Sequence, residues 1–248
     1  MYMIKGGPMI IKKHYIVGSF MVLSLFVSSA VPVFAQVPTS TLGVKAAGAV
    51  DRLKNRAAAE LTRRLTALNN LVTRINALKR LTGDQKTNLT SQVQTEITDL
   101  TTLQTKIAGD TDIATLRTDV QSIIKSYRIF ALFMPKITII SHADNLIDTA
   151  NLMTQISGKL QARLDAAKLA GKDTTAAQAL MTDRAAKIAD AITQAQNAIN
   201  AVLPLTPDGY PGNKTTLQSA RTMLMTARQD LKTAEHNATQ VRQTIKGK

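Results

Sequence analysis

The sequence predicts an all-α protein, an elongated antiparallel helical bundle of about six helices. Apolar side chains recur every three or four residues from about residue 49 onward, which is the spacing of one helix face. No alternating, strand-like segment is longer than the few residues around 136–140. Gly- and Pro-containing breaks separate the periodic stretches. Four predicted helices have about 30 residues, or roughly 45 Å at 1.5 Å per residue, so we expect a long molecule.

The first 35 residues have the features of an export signal. Basic residues precede an apolar run from Tyr15 to Val27, and a small-residue cleavage pattern ends at Ala35. The run is shorter than the roughly 20 residues that span a bilayer. We therefore expect a signal peptide over 1–35 and a mature chain from Gln36 that is periplasmic, on the cell surface or secreted. A retained leader would instead anchor the protein to the membrane.

Charge and composition narrow the function classes. The chain has a net charge of +14, and loss of the leader would remove only three lysines, so the mature protein stays strongly basic. Outside the cytoplasm, such charge favours anionic envelope polymers, phospholipid head groups or extracellular nucleic acid, without specificity for any of them. The absence of cysteine excludes disulfides, thiol catalysis and thiolate metal sites. Stability must therefore come from helix packing.

The first predicted elements are a tether and a long helix. Residues 36–48 contain one proline and two glycines without a helical period, which predicts a flexible tether. A first helix follows from about Val50 to Leu81. Its predicted core face consists of Leu53, Leu61, Leu65, Leu68, Val72, Ile75 and Leu78.

The second and third helices have clear boundary signals. Thr82 and Gln85 have the spacing of a capping box, which predicts the start of the second helix, and Gly109-Asp110 predicts its end. The third helix is predicted to end at Pro135, because proline lacks a backbone donor and disfavours helical geometry in the preceding residue. Its seven-residue seam consists of Ile113, Leu116, Val120, Ile123, Tyr127, Phe130 and Met134.

Three further helices are predicted, at about Ser141–Leu169, Thr174–Leu203 and Lys214–Ile245, with a Pro- and Gly-rich loop before the last. The last helix alternates larger apolar residues with alanine along its seam, which favours close helix approach. The six helices form either one long bundle or two three-helix bundles, 49–134 and 135–248, joined at Pro135.

Aromatic and other large apolar side chains gather between Tyr127 and Ile140. We expect mainly a packing contact between bundles, with a partner or dimer interface and in-plane membrane contact as alternatives. Truncation of Phe130 to alanine is expected to lower stability by about 3–5 kcal/mol, as for a buried aromatic. The candidate packing or partner cluster consists of Tyr127, Phe130, Phe133, Met134 and Pro135.

A stripe of arginines on the first helix is the candidate anion-binding site. At about 100° per residue its members project within roughly 40° of one another, away from the leucine face. Arginine forks match phosphate and carboxylate groups. The alternative is a solvated helix face, part of which packs against the acidic second helix. The stripe consists of Arg52, Arg56, Arg63 and Arg74.

Signatures of enzyme chemistry are missing. His142 and His236 lie on different predicted helices without metal-like spacing, and no nucleophile elbow, phosphate loop or dinucleotide fingerprint occurs. We therefore predict no catalytic residue, no metal and no cofactor.

Three segments carry a family resemblance: RLTGDQKTNLTSQVQTEITDL, DTDIATLRTDVQSI and YRIFALFMP. Together they resemble a family of exported helical proteins of candidate-phylum bacteria that has no assigned activity, mainly over residues 78–144. The resemblance implies export and an all-helical fold. Leu81-Thr82 with Gln85, and Leu100-Thr101 with Gln104, are also similar to the LTxxQ motif of Spy-type periplasmic chaperones.

These observations favour an exported, non-enzymatic helical bundle with a binding, spacer or scaffold role at the bacterial cell envelope. The expected partner is an anionic envelope polymer or a protein, without specific nucleic-acid recognition and without a transmembrane segment in the mature chain. A homo-oligomer is compatible with the sequence. A Spy-like periplasmic chaperone is the alternative function, and a hydrolase of envelope polymers is the third.

Overall fold

The computed structural model describes residues 39–246 apart from residue 126, and side chains from residue 48 onward. All regular structure within that range is helical, without a strand, so the predicted all-α class is confirmed. None of the helices described is both long and apolar enough to cross a membrane. The predicted signal peptide and its cleavage site lie outside the described residues.

Six α-helices form the described part of the chain. Two short elements accompany them: a π-helical turn at Ile129–Phe133 and a 3₁₀ turn at Pro207–Gly209. The α-helices are α1 (Thr39–Ala77), α2 (Gly83–Gly109), α3 (Ile113–Lys125), α4 (Met134–Leu169), α5 (Thr175–Val202) and α6 (Asn213–Lys246).

Helix α1 begins earlier than the sequence predicts, at Thr39, and takes in most of the stretch expected to be a flexible tether. Two glycines, Gly43 and Gly48, suggested a break. A glycine within a helix costs only about 1 kcal/mol relative to alanine. The three alanines between residues 46 and 49 and the long helix that follows outweigh that cost.

The turn between α1 and α2 is capped and fastened to α4. The predicted capping box is confirmed: the Thr82 hydroxyl accepts from the Gln85 amide at 3.2 Å, and the Gln85 side chain accepts from the Thr82 amide at 3.0 Å. The buried Asp144 carboxylate on α4 accepts from the amides of Lys79 and Arg80, at 3.0 and 2.6 Å. Backbone donors therefore satisfy a buried charge that would otherwise be costly.

The predicted third helix is wrong at its C-terminal end, because α3 stops at Lys125, about ten residues before Pro135. Arg128 has a φ of 42°, in the left-handed region, which interrupts the helix there. The chain resumes in the π-helical turn and continues into α4. Pro135 lies in the first turn of α4, where a missing backbone donor is tolerated. The proline therefore helps to start a helix instead of ending one, and α4 begins at Met134 instead of Ser141.

The break changes which aromatic side chain is buried. Phe133 is 1% exposed, whereas Phe130, which was expected in the seam, is 37% exposed. The interruption at Arg128 and the extra residue in a π-helical turn shift side chains around the helix axis, so the seven-residue phase of α3 does not continue. Tyr127 and Met134 are half-buried. The expected stability loss therefore belongs to Phe133 and not to Phe130.

The largest buried cluster includes residues of all six helices and of the π-helical turn. Two smaller clusters lie between α4, α5 and α6, which pack on one another. The alternation of larger residues with alanine along α6 faces these cores, as expected. The assignment of 49–134 and 135–248 to two separate bundles stays a prediction.

A lysine of α4, Lys136, is fully buried. The Lys136 ammonium donates to the Gln92 side chain at 2.7 Å and to the carbonyls of Leu203 and Leu205 at 2.6 and 3.0 Å. Burial lowers the pKa of Lys136 to about 8. The side chain thus connects α4, α2 and the segment that follows α5.

Phe133→Ala is expected to lower the free energy of unfolding by about 3–5 kcal/mol, because it removes a buried aromatic side chain. Phe130→Ala is the matched control, and its cost should be about 1 kcal/mol or less, since that ring is partly in water. Urea denaturation of both variants measures the difference. Equal losses would contradict the burial described here.

A second prediction concerns Glu96 on α2. Burial, followed by repulsion from Asp99 and Asp208, raises the pKa of this carboxyl to about 7. The folded state therefore holds a proton that the unfolded chain releases near pH 4.5. The stabilisation is fully present below about pH 4.5 and is lost as pH rises through about 7.

We expect the free energy of unfolding to fall by roughly 1–2 kcal/mol across that window, after allowance for partial exposure of the carboxyl. Glu96→Gln should reduce this decrease in the free energy of unfolding with pH. Urea titrations at several pH values measure the decrease. Glu235→Gln, which removes an exposed carboxylate on α6, is the control and should leave the pH dependence of stability unchanged. An identical pH dependence in Glu96→Gln and in the unaltered protein would rule out this carboxyl as the cause.

Candidate functional site

A groove of about 520 Å³ lies between α4 and α6, next to the π-helical turn. Pro135, Thr138 and His142 of α4 line it at intervals of three and four residues. Arg221, Met225 and Arg228 of α6 follow the same intervals. Each helix therefore presents a single face to the groove, as residues three and four apart share a face.

The floor of the groove is apolar and its edge is partly exposed. Ile139 and Leu224 are almost fully buried beneath it. Phe130 at one edge and Met225 at another are 37% and 71% exposed. The groove is therefore a concave surface in which large apolar side chains contact water, a combination typical of binding sites.

The charged side chains that line the groove are both cationic. Arg221 and Arg228 are exposed on α6, and no Asp or Glu side chain lines the groove. Within residues 48–246, neither guanidinium has a hydrogen bond or an ion pair to a protein group. Both planar forks are thus available to an external phosphate or carboxylate.

Two arginines of α1 contact Phe130 at the edge of the groove. The guanidinium carbons of Arg63 and Arg64 lie 4.3 and 5.0 Å from the centroid of this ring, within cation–π range. The Glu60 carboxylate binds Arg63 at 2.8 Å and Arg64 at 2.7 Å. The hydrogen bond from Arg63 is the main cause of a lowered pKa of Glu60. Phe130 is therefore held by contacts from α1 although much of the ring is exposed.

The four arginines of the stripe predicted on α1 differ in their surroundings. Arg52 and Arg56 are exposed, in agreement with a solvent-facing stripe. Arg63 stacks on Phe130 and pairs with Glu60, and the half-buried Arg74 donates to the Ser141 hydroxyl at 3.4 Å. Only the N-terminal half of the stripe is thus free of such contacts within the described residues.

A second row of bases lies on α6 and was not predicted from the sequence. The row repeats every seven residues, with Glu235 at the one position that carries an acid. All four basic members are exposed. The seven-residue spacing of these bases is a signal that the sequence contains, beside the apolar seam of the same helix. The row, here called the α6 row, consists of Lys214, Arg221, Arg228 and Arg242.

We searched the described side chains for groups that could hold a metal ion. Among residues 48–246 apart from residue 126, no three His, Asp or Glu side chains lie close enough together to hold an ion. Asp144 and Asp148, the acids nearest His142 in sequence, instead bind the backbone and side chains at the α1–α2 turn. His142 lines the groove as an exposed donor or acceptor.

Comparisons of the chain with protein-family models, with curated proteins and with solved structures found no match. The resemblance of residues 78–144 to exported helical proteins and the LTxxQ similarity to Spy-type chaperones therefore stay predictions. In the structure, the first LTxxQ segment forms the capping box of α2 and the second lies within α2.

Proposed function

We propose that this protein is an exported, non-enzymatic binding protein that attaches to an anionic polymer of the cell envelope through α6. The observation that supports the proposal is the α6 row: four exposed bases on one side of a single helix, at positions that repeat every seven residues and are interrupted once by Glu235. The basic net charge of the chain adds to the attraction.

The spacing of the row suits an extended partner. Seven residues of helix advance about 10.5 Å, so the row from Lys214 to Arg242 covers roughly 42 Å. Neighbouring positions are about one Debye length apart at physiological salt, so a small ion would feel mainly one cation at a time. A polymer with repeated phosphate or carboxylate groups can contact several positions at once, and its binding energy then adds along the row.

The stripe on α1 is the weaker candidate for this role. Arg63 and Arg74 already contact Phe130, Glu60 and Ser141, so a polymer would have to compete with those groups. Arg52 and Arg56 remain as a shorter pair on the exposed side of α1. We therefore assign polymer binding mainly to α6.

The test is co-sedimentation of the purified protein with isolated bacterial envelopes across a salt series. Replacement of all four bases of the α6 row by Gln should weaken binding at low salt by roughly tenfold or more, since exposed ion pairs contribute about 0.2–1 kcal/mol each. The salt dependence should also become shallower.

The matched control replaces Arg52, Arg56, Arg63 and Arg74 by Gln, which removes the same number of charges from α1. It should keep most of the binding. Equal losses in both variants would show that net charge alone controls attachment. Failure of the unaltered protein to sediment with envelopes at low salt would overturn the proposal.

A Spy-like chaperone is a second candidate, because the groove combines exposed apolar groups with cations on a concave surface. Such a surface suits transient contact with unfolded chains. This function predicts that substoichiometric protein suppresses aggregation of a denatured client and that Met225→Gln reduces the effect. Polymer binding through the α6 row predicts no such suppression, so light scattering distinguishes the two functions.

A further inference from the structure

We infer that the groove between α4 and α6 binds an amphiphile with one acyl chain and an anionic head, such as a fatty acid or a monoacyl phospholipid. The inference goes beyond polymer attachment, because it assigns a small ligand to an apolar site that a hydrophilic polymer would not fill. It rests on three independent features of the groove: its apolar surface, its charge and its size.

The apolar surface provides the chain subsite. Ile139 and Leu224 form a buried floor, while Phe130 and Met225 leave large apolar areas in water. An acyl chain laid between them would remove apolar surface of both partners from water. The unbranched side chains of Met134 and Met225 can adapt to an irregular chain.

The positive charge of the groove favours a ligand with an anionic head group. Arg221 and Arg228 point to the same side of α6, and no carboxylate lines the groove. Guanidinium forks bind carboxylate and phosphate through two parallel hydrogen bonds, and these charge-assisted bonds are stronger than neutral ones. His142 on α4 lines the same groove and supplies another polar contact. A neutral or cationic head would form no such charge-assisted bond with a guanidinium group.

The size of the groove suits a small ligand. A volume of about 520 Å³ lies within the range of small-molecule sites.

The position of Phe130 links the chain subsite to the head subsite. The ring is held beside Arg63 and Arg64 of α1 and also lines the groove with Arg221 and Arg228. Its exposed part would be covered by the ligand. These contacts with α1 order the ring before binding, so less conformational entropy is lost when the ligand arrives.

The test is isothermal titration of the purified protein with palmitate and with monoacyl phosphatidylglycerol, both below their micelle concentrations. The expected result is saturable binding of at least one of them at one ligand per chain. A carboxylate or a phosphate preference then identifies the source of the ligand. Monoacylglycerol, which has an uncharged head, should bind at least tenfold more weakly.

Three variants test the assigned subsites. Arg221→Gln with Arg228→Gln should weaken binding at least tenfold, and Met225→Gln should weaken it severalfold through the chain subsite. The double variant Arg117→Gln with Arg163→Gln removes two exposed arginines outside the groove and should bind like the unaltered protein. All substitutions are at exposed positions, and circular dichroism verifies that each variant keeps its helices.

The inference would be overturned if neither anionic amphiphile showed saturable binding. It would also be overturned if the uncharged amphiphile bound as tightly as the anionic ones. An equal loss in the Arg117 and Arg163 variant would also overturn it. Envelope co-sedimentation of Met225→Gln separates this inference from the proposed function, because polymer attachment through the α6 row does not need that side chain. If the protein sediments with envelopes but binds no amphiphile, only the amphiphile-binding inference is refuted. If it binds an amphiphile but does not sediment with envelopes, only the proposed polymer attachment is refuted.

Discussion

The buried ammonium group of Lys136 is the interaction on which the arrangement of the helices depends most. It joins α4 to the Gln92 side chain of α2 and to two carbonyls, those of Leu203 and Leu205, that follow the last turn of α5. Carbonyls at the C-terminal end of a helix carry partial negative charge, which suits a cation. A buried charge is costly unless every donor has a partner, and here three donors meet three acceptors. The contact therefore holds the segment after α5 against α4 and α2.

The same region of α4 determines which side chains line the groove. The chain leaves α3 through a left-handed residue, Arg128, and enters α4 through the π-helical turn. This geometry buries Phe133 and leaves Phe130 at the surface, against the arginines of α1. A continuous helix would have kept Phe130 in the apolar seam. The groove therefore owes its aromatic edge to a local departure from α-helical geometry.

Most of the fold could be predicted from the sequence, because apolar periodicity and capping signals act locally. The capping box at Thr82 and the alternating seam of α6 are examples. The end of α3 could not be predicted, since the seven-residue pattern continues across the break. Burial of Lys136 could not be predicted either, because a cation in an apolar core depends on acceptors that are distant in sequence. The groove could not be predicted for the same reason, since the residues that line it come from helices that are distant in sequence.

The α6 row and the groove share two residues, and this overlap has a consequence for how the protein would work. Arg221 and Arg228 belong to both, whereas Lys214 and Arg242 lie outside the groove lining. An anionic head bound in the groove would reduce the positive charge in the middle of the row and leave both ends exposed. Since exposed charge contacts add along a polymer, this reduction would weaken attachment without abolishing it. The two proposed ligands would therefore compete partially, and an amphiphile would tune the attachment of the protein to its polymer.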